Sequence, residues 1–129
     1  MKNPTVELAV NGTLMRGLSL NQNLLDLSAE FVREDKTAAC YRLWSIEDRY
    51  PGMIRDHIGG ASIEVEIWSI EPQNLAALLQ KEPPGLTLGK VELINGIRVL
   101  GILAEPYLVN DREEITEYLG WRSYTKSLC

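Results

Sequence analysis

The chain has 129 residues, of which 45% are hydrophobic and 24% are charged, the size and composition of one ordinary globular domain rather than of a disordered or fibrous protein. Its formal net charge of −5, without a cluster of Lys and Arg, argues against nucleic-acid binding. No apolar stretch approaches the roughly 20 residues of a membrane span, and no signal-like block precedes Glu7. We therefore expect one domain, residues 1–129, that is cytoplasmic and has no nucleic-acid or membrane partner.

Candidate metal ligands are few and scattered. The chain has two cysteines, Cys40 and Cys129, and one histidine, His57. Their spacing matches no zinc or redox motif. Cys40 lies in a predicted strand and Cys129 is the last residue, so two free thiols are expected. We predict no disulfide, no metal site and no cofactor.

The first half of the chain predicts mainly strands. Apolar residues alternate along residues 6–10, the pattern of a half-buried strand, and Gly12 ends it. Leucines at helical spacing behind Ser19 predict a helix over residues 19–28. Further strands are predicted over residues 31–37, 39–46, 53–55 and 61–70, with a loop over residues 47–52.

The second half predicts a helix and a hairpin. Pro72 fits the first turn of a helix that Pro83 ends. Apolar segments on both sides of Asn95-Gly96 predict a hairpin of residues 88–94 and 97–104, because both turn residues tolerate positive φ.

A last short helix completes the predicted fold. Asp111 is expected to cap a helix that reaches Tyr118, Gly120 to terminate it, and residues 121–124 to pack back on the body. Six or seven strands with two or three helices indicate the α+β class. We predict a curled antiparallel or mixed sheet, or a small barrel, with helices at its side.

The turn after the first strand is a candidate anion-binding loop. A strand that ends in a glycine turn leaves successive backbone N–H groups free, and these bind a carboxylate or an oxyanion where they converge. The residues in this position are Asn11, Gly12, Thr13 and Leu14. A plain connection between two elements is the alternative.

The segment Gly12-Thr13-Leu14-Met15-Arg16-Gly17 resembles the tyrosine-glycine-threonine-leucine-methionine-arginine-glycine opening of gamma-glutamyl-cyclotransferase-like proteins. Asn11 stands where that family has tyrosine. The resemblance implies that the loop amides, with Arg16, bind the carboxylate end of a substrate.

The same family implies a general acid/base. Its catalytic glutamate follows a strand with a Gly-Glu-Val-Tyr motif and a helix, and here Val65-Glu66-Ile67-Trp68 and the predicted helix precede Glu82 at a similar distance. The resemblance makes Glu82 the proton-shuttling residue and Glu66 the counterpart of the motif glutamate. A carboxylate performs this role when burial raises its pKa towards neutrality. The alternative for Glu82 is a solvated residue beside Lys81.

A second resemblance extends over most of the chain. Five segments look, in the same order, like the C-terminal domain of allophanate hydrolase: residues 17–21, 37–43, 51–54, 59–68 and 115–122. The resemblance implies the same cyclotransferase-like fold. In allophanate hydrolase this domain follows an amidase domain and is credited with decarboxylating N-carboxycarbamate. It usually has an apolar residue at the position of Glu82.

Other polar residues have two interpretations. Arg55 and Arg122 carry planar forks of donors that fit substrate carboxylates, and surface ion pairs are the alternative for each. Glu64 and Glu66 share one predicted strand face, which lines a polar pocket or faces water. We favour water for Glu64 and leave Glu66 open.

Two functional hypotheses follow. The first is a free-standing domain that binds a small carboxylate, amide or urea-type metabolite, with Glu82 as general acid/base for cyclotransferase-type or decarboxylating activity. The second is a non-catalytic module that binds a metabolite or docks on a separate amidase chain, since 129 residues leave no room for an amidase domain. The sequence also leaves a homodimer open.

Overall fold

Two β-sheets and three α-helices make up the part of the chain that the structure describes. The computed structural model describes residues 3–129. The strands are β1 Val6–Val10, β2 Glu30–Lys36, β3 Tyr41–Ile46, β4 Tyr50–Arg55, β5 Glu64–Ile70, β6 Leu86–Glu92, β7 Arg98–Ala104 and β8 Glu113–Glu114. The α-helices are α1 Asn21–Asp26, α2 Pro72–Lys81 and α3 Trp121–Ser127, and short 3-10 helices span Pro106–Val109 and Thr116–Tyr118.

The larger sheet is mixed and has β1 at its centre. Its strand order is β2-β5-β1-β7-β6, with β1 antiparallel to β5 and parallel to β7. Leu8, Ala9 and Val10 are each at most 1% exposed. The strand predicted as half-buried is therefore buried on both faces, because the sheet curls around one face and the helices cover the other.

The curl of this sheet stops short of a closed barrel. A single isolated bridge between Thr37 and Leu93 joins the ends of the two edge strands. On the inner face, Ala9, Val65 and Ile67 pack with Leu93. The predicted α+β class with a curled mixed sheet and flanking helices is confirmed, and within residues 3–129 the sheet is open.

The smaller sheet contains a hairpin that the sequence did not predict. Its order is β4-β3-β8, and β3 joins β4 through a turn at residues 47–49. Glu47 and Asp48 both have a φ of 56°, and the Arg49 amide donates to the Ile46 carbonyl at 3.0 Å. The predicted loop over residues 47–52 is therefore wrong in its second half, where the strand has already begun at Tyr50. Glycine is the usual sequence signal for a left-handed turn, and this turn has glutamate and aspartate at its left-handed positions instead.

The C-terminal segment also differs from the prediction. Asp111 has a φ of 59°, and β8 draws Glu113 and Glu114 into an antiparallel pair with β3. The predicted helix from Asp111 to Tyr118 is thus wrong, and the α-helix begins only after Gly120. Trp121 and Tyr124 are 3% and 2% exposed, so the predicted packing of residues 121–124 on the body is confirmed.

Helix α2 and the second hairpin agree with their sequence signals. Helix α2 begins at Pro72 and buries Leu75 and Leu78 in the main core cluster. The turn of the β6–β7 hairpin contains Gly96 at a φ of 88°. Helix α1 is shorter than predicted and begins after Leu20, with no side-chain cap.

A buried carboxylate joins three parts of the fold. Glu66 on β5 is 2% exposed and lies opposite Val10, the last residue of β1. Its oxygens accept hydrogen bonds from the Arg16 amide (2.9 Å), the Trp68 indole (3.2 Å), the Arg16 guanidinium (3.2 Å) and the Arg122 guanidinium (3.1 Å). Burial acts to raise the pKa of Glu66, but these donors outweigh it and hold the pKa below its ordinary 4.5. The loop after β1, the sheet and α3 are therefore held at one point.

Replacing this carboxylate tests the junction. We expect Glu66→Gln to lower the free energy of unfolding by about 2 kcal/mol, because charge-assisted hydrogen bonds are lost at a buried position. A lowered folded-state pKa contributes stability that is complete above 4.5 and is lost as the pH falls through the lowered value. The deficit, measured by denaturant titration, should therefore shrink in acid.

The matched control is Glu34→Gln. Glu34 also pairs with Arg16, at 2.7 Å, but its side chain is 76% exposed, so its loss should change stability little. Equal effects of the two substitutions would contradict the importance of the buried position.

Candidate functional site

A cavity of about 370 Å³ opens between the end of β1, the start of β4 and the connection from α2 to β6. The predicted loop residues and Glu82 share it. Its lining includes Asn11, Gly12, Thr13, Leu14, Arg49, Tyr50, Pro51, Glu82, Pro83 and Ile102. The structure thus brings together five of the residues singled out from the sequence.

The loop after β1 is fixed by its own backbone bonds and leaves three amides free. The Met15 amide donates to the Gly12 carbonyl and the Leu20 amide to the Thr13 carbonyl, both at 3.0 Å. Within residues 3–129, the N–H groups of Gly12, Thr13 and Leu14 have no backbone or side-chain acceptor. Three consecutive free donors at the edge of a cavity are suited to binding an anion.

Close packing against β4 explains the glycine of this loop. A Cβ atom on Gly12 would lie 2.5 Å from Cδ and 2.8 Å from Cγ of Pro51. Any side chain at this position would push the loop away from β4. Gly12 therefore sets the distance between two walls of the cavity.

Asn11 holds the loop to the sheet. It is 5% exposed, and its amide Nδ2 donates to the Ile102 carbonyl at 3.0 Å and approaches the Met53 sulfur at 3.7 Å. Its side chain is thus engaged with β7 and β4, at the position where gamma-glutamyl-cyclotransferase-like proteins have tyrosine.

Glu82 lies at the C-terminal end of α2, where Pro83 sets its direction. Proline disfavours the helical conformation of the residue before it, and Glu82 has a ψ of 150°, so the chain leaves the helix and turns into the cavity wall. Burial raises the pKa of Glu82 from its ordinary 4.5. A partly desolvated carboxyl beside free donors can exchange a proton with a bound molecule.

Two further residues of the cavity were not predicted from the sequence. Arg49 lies on the β3–β4 turn, and Tyr50 is the first residue of β4. Tyr50 is half-buried, and burial raises the pKa of its hydroxyl. They were missed because the hairpin was missed. The sequence signal compatible with this strand is Pro51, because proline is tolerated in an edge strand such as β4.

Arg16 and Glu66 lie apart from this cavity. Glu66 lines a second cavity of about 270 Å³ together with Arg122, and its oxygens are occupied by the hydrogen bonds described above. Arg16 stacks on Phe31 with its guanidinium carbon 3.7 Å from the ring centre. The hydrogen bonds between Arg16 and Glu66 hold the loop on the side that faces away from the cavity with Glu82.

Arg55 also lies outside the cavity with Glu82. It is exposed at the end of β4 and pairs with Glu92 at 3.3 Å. The surface ion pair that the sequence left open is the arrangement seen.

In residues 3–129, no group of three or more His, Cys, Asp or Glu is placed to bind a metal ion. No helix in the same range is both long and apolar enough to cross a membrane.

Comparison with known proteins places the chain in a family. The family model of the allophanate hydrolase C-terminal domain matches residues 6–126. A crystal structure of a protein specific to uropathogenic Escherichia coli is 55% identical, with a TM-score of 0.94, and the match covers 96% of this chain and 98% of that one.

Longer relatives contain the same domain. Urea amidolyase of Saccharomyces cerevisiae is 29% identical over 131 residues, which are 96% of this chain and 7% of that protein. Allophanate hydrolase of Kluyveromyces lactis is 26% identical with a TM-score of 0.92, over 97% of this chain and 22% of that one. This chain therefore spans a small part of the length of these relatives.

The fold is shared more widely. An AIG2-like protein from Mus musculus is 22% identical with a TM-score of 0.64, which shows a common cyclotransferase-like fold. Both resemblances found in the sequence are confirmed at this level. The match over residues 6–126 shows that this chain belongs to the allophanate hydrolase C-terminal domain family.

Proposed function

We propose that this domain binds a small carboxylate-, amide- or urea-type metabolite in the cavity between the loop after β1 and Glu82. An anionic or carbonyl oxygen of the ligand accepts hydrogen bonds from the amides of Gly12, Thr13 and Leu14. One observation carries the proposal: three unbonded amides and a partly buried carboxyl of raised pKa line the same cavity.

In this proposal Glu82 acts as general acid/base. As carboxylate it takes a proton from an attacking amine while that nitrogen bonds to the acyl carbon, and as carboxylic acid it gives the proton to the nitrogen whose bond to that carbon breaks. The amides stabilise the negative charge that develops on the acyl oxygen. A carboxyl with a raised pKa favours both directions because it exchanges its proton closer to neutral pH.

The names of the relatives support this class of ligand. Urea amidolyase and allophanate hydrolase are named for urea- and amide-type compounds, and each is a longer chain that includes this domain. The cavity volume of about 370 Å³ also fits the range of small-molecule sites.

A second candidate function is docking on a separate amidase chain. It is favoured by the occurrence of this domain within the much longer urea amidolyase and allophanate hydrolase chains. Glu82→Gln separates the two functions, since it should abolish turnover of a bound ligand in the first and leave complex formation intact in the second. Full activity of Glu82→Gln would refute the acid/base role.

Ligand binding can be tested by a thermal-shift screen with gamma-glutamyl amino acids, 5-oxoproline, allophanate and malonate. A ligand at 100 times its dissociation constant stabilises by about 2.7 kcal/mol. We expect a selective shift that Thr13→Pro weakens, with an affinity loss of roughly tenfold, because proline removes one amide donor. Thr13→Ala is the matched control, since it keeps the amide and removes only the hydroxyl.

The outcomes separate clearly. Equal binding by Thr13→Pro and Thr13→Ala would show that the loop amides do not hold the ligand. No shift with any acid, amide or urea compound would leave docking as the supported function.

The partly buried carboxyl of Glu82 also predicts a pH-dependent stability. With a folded-state pKa above 4.5, the wild type loses stability as the pH rises from 4.5 through that raised value. Glu82→Gln removes this loss, so its melting temperature should exceed that of the wild type at neutral pH and match it in acid. The exposed Glu117→Gln carries the same charge change and should show no gain. A lower melting temperature of Glu82→Gln at neutral pH would contradict a desolvated carboxyl.

A further inference from the structure

We propose that Arg49 selects ligands with two anionic ends, one held by the amides of Gly12, Thr13 and Leu14 and the other by the Arg49 guanidinium. This inference rests on the proposed function and narrows its ligand class to small dianionic acids. It assigns a specificity role to a residue on the cavity rim.

The distribution of ion pairs singles out Arg49. The chain has an excess of carboxylates, with 18 Asp and Glu against 13 Lys and Arg. Arg16, Arg33, Arg42, Arg55, Arg98, Arg112 and Arg122 each lie within 4.0 Å of a carboxylate. Among residues 3–129, Arg49 is the arginine without such a partner, although it belongs to the most acidic turn of the smaller sheet.

The carboxylates nearest to Arg49 in the chain are occupied by other groups. Glu47 pairs with Arg112 at 3.2 Å. Asp48 accepts hydrogen bonds from the Ser45 hydroxyl at 2.7 Å and from the Tyr124 hydroxyl. The turn is thereby held in place while the charge of Arg49 is left unneutralised. An arginine in this condition is available to a ligand.

The packing of β4 brings Arg49 to the anion-binding loop. Pro51 follows Arg49 by two residues and contacts Gly12 so closely that the loop has no room for a Cβ atom. Arg49, Gly12 and Thr13 line the same cavity. A small molecule bound to the loop amides therefore lies within the walls to which Arg49 contributes.

The loop amides at one end of the cavity and the Arg49 guanidinium at the other bind anionic groups in different ways. Backbone amides bind an oxygen without supplying a full charge, whereas a guanidinium supplies a full charge and a planar fork that matches a carboxylate. Glu82 lines the same cavity, where burial raises the pKa of its carboxyl, and the protonated form of this group can donate a hydrogen bond to an anion. A ligand with two carboxylates places a negative charge at both ends of the cavity, whereas its monoamide places a charge at only one end.

The test compares ligands that differ only in the second charge. Succinate is paired with succinamate and malonate with malonamate, at a pH where every carboxyl of these ligands is ionised, and binding is measured by isothermal titration calorimetry. We expect the wild type to favour the dianion of at least one pair by roughly tenfold. Arg49→Gln should abolish that preference for the dianion over its monoamide, while Arg49→Lys should keep part of it.

Arg98→Gln is the control for loss of one positive charge. Arg98 is 63% exposed, does not line the cavity and approaches Glu92 only at 3.9 Å, so this variant should keep the full preference. Equal loss in Arg98→Gln would mean that net charge, and not Arg49, sets the preference.

The failures of the two proposals are distinguishable. Equal wild-type binding of a dianion and its monoamide, or an unchanged preference in Arg49→Gln, overturns the role of Arg49 and leaves the metabolite site intact. Loss of both ligands in Arg49→Gln also overturns a role limited to the second end. Absence of binding by every acid in the wild type overturns the proposed function and this inference together.

Discussion

The buried carboxylate of Glu66 is the contact on which the arrangement of the cavity depends. It fixes the amide of Arg16 and thereby the far end of the loop whose near end offers three free amides. It also binds Arg122 of α3, and α3 in turn reaches the β3–β4 turn through Tyr124 and Asp48. One carboxylate thus connects both walls of the cavity although it lines neither. Glu66 is the residue that the resemblance matched to the motif glutamate, and its contacts hold the loop, β5 and α3 together.

Glu66 and Glu82 have pKa values that are shifted in opposite directions. Glu66 is surrounded by donors, so its pKa falls despite burial and its charge stabilises the fold. Glu82 is partly buried without such compensation, so its pKa rises and its charge costs stability above that raised pKa. A group that is unfavourable for folding and lies in a cavity is the kind of group that functional sites retain. This contrast separates the roles of the two residues more clearly than their spacing in the sequence does.

The sequence predicted the elements whose signals are local. Alternating apolar residues identified β1 and β5, Asn95-Gly96 identified the β6–β7 hairpin, and Pro72 identified the start of α2. The errors arose where a distant partner decides the local structure. Residues 113–114 are extended because they pair with β3, and the turn at Glu47 and Asp48 is left-handed without glycine. Neither effect is visible in a window of neighbouring residues.

The same distinction explains how much of the site was predictable. The loop after β1 and Glu82 could be found because a resemblance to known families covers their motifs. Their placement in one cavity, and the burial that raises the pKa of Glu82, required the fold. Arg16 and Glu66 were grouped with the ligand contacts because they share the motifs of the loop and the strand, but the structure directs them to the opposite side of the loop.

The cavity wall formed by β4 distinguishes this domain from gamma-glutamyl-cyclotransferase-like proteins. Where gamma-glutamyl-cyclotransferase-like proteins have a tyrosine before the loop glycine, this chain has Asn11, whose side chain is used to bond β7. An aromatic ring reaches the cavity instead from Tyr50, which the close contact of Pro51 with Gly12 holds against the loop. The same strand carries Arg49 on the turn before it, so one hairpin supplies both an aromatic and a cationic group. A change in that hairpin would alter the wall of the cavity without altering the loop, and variation of this kind is how one fold accommodates different functions.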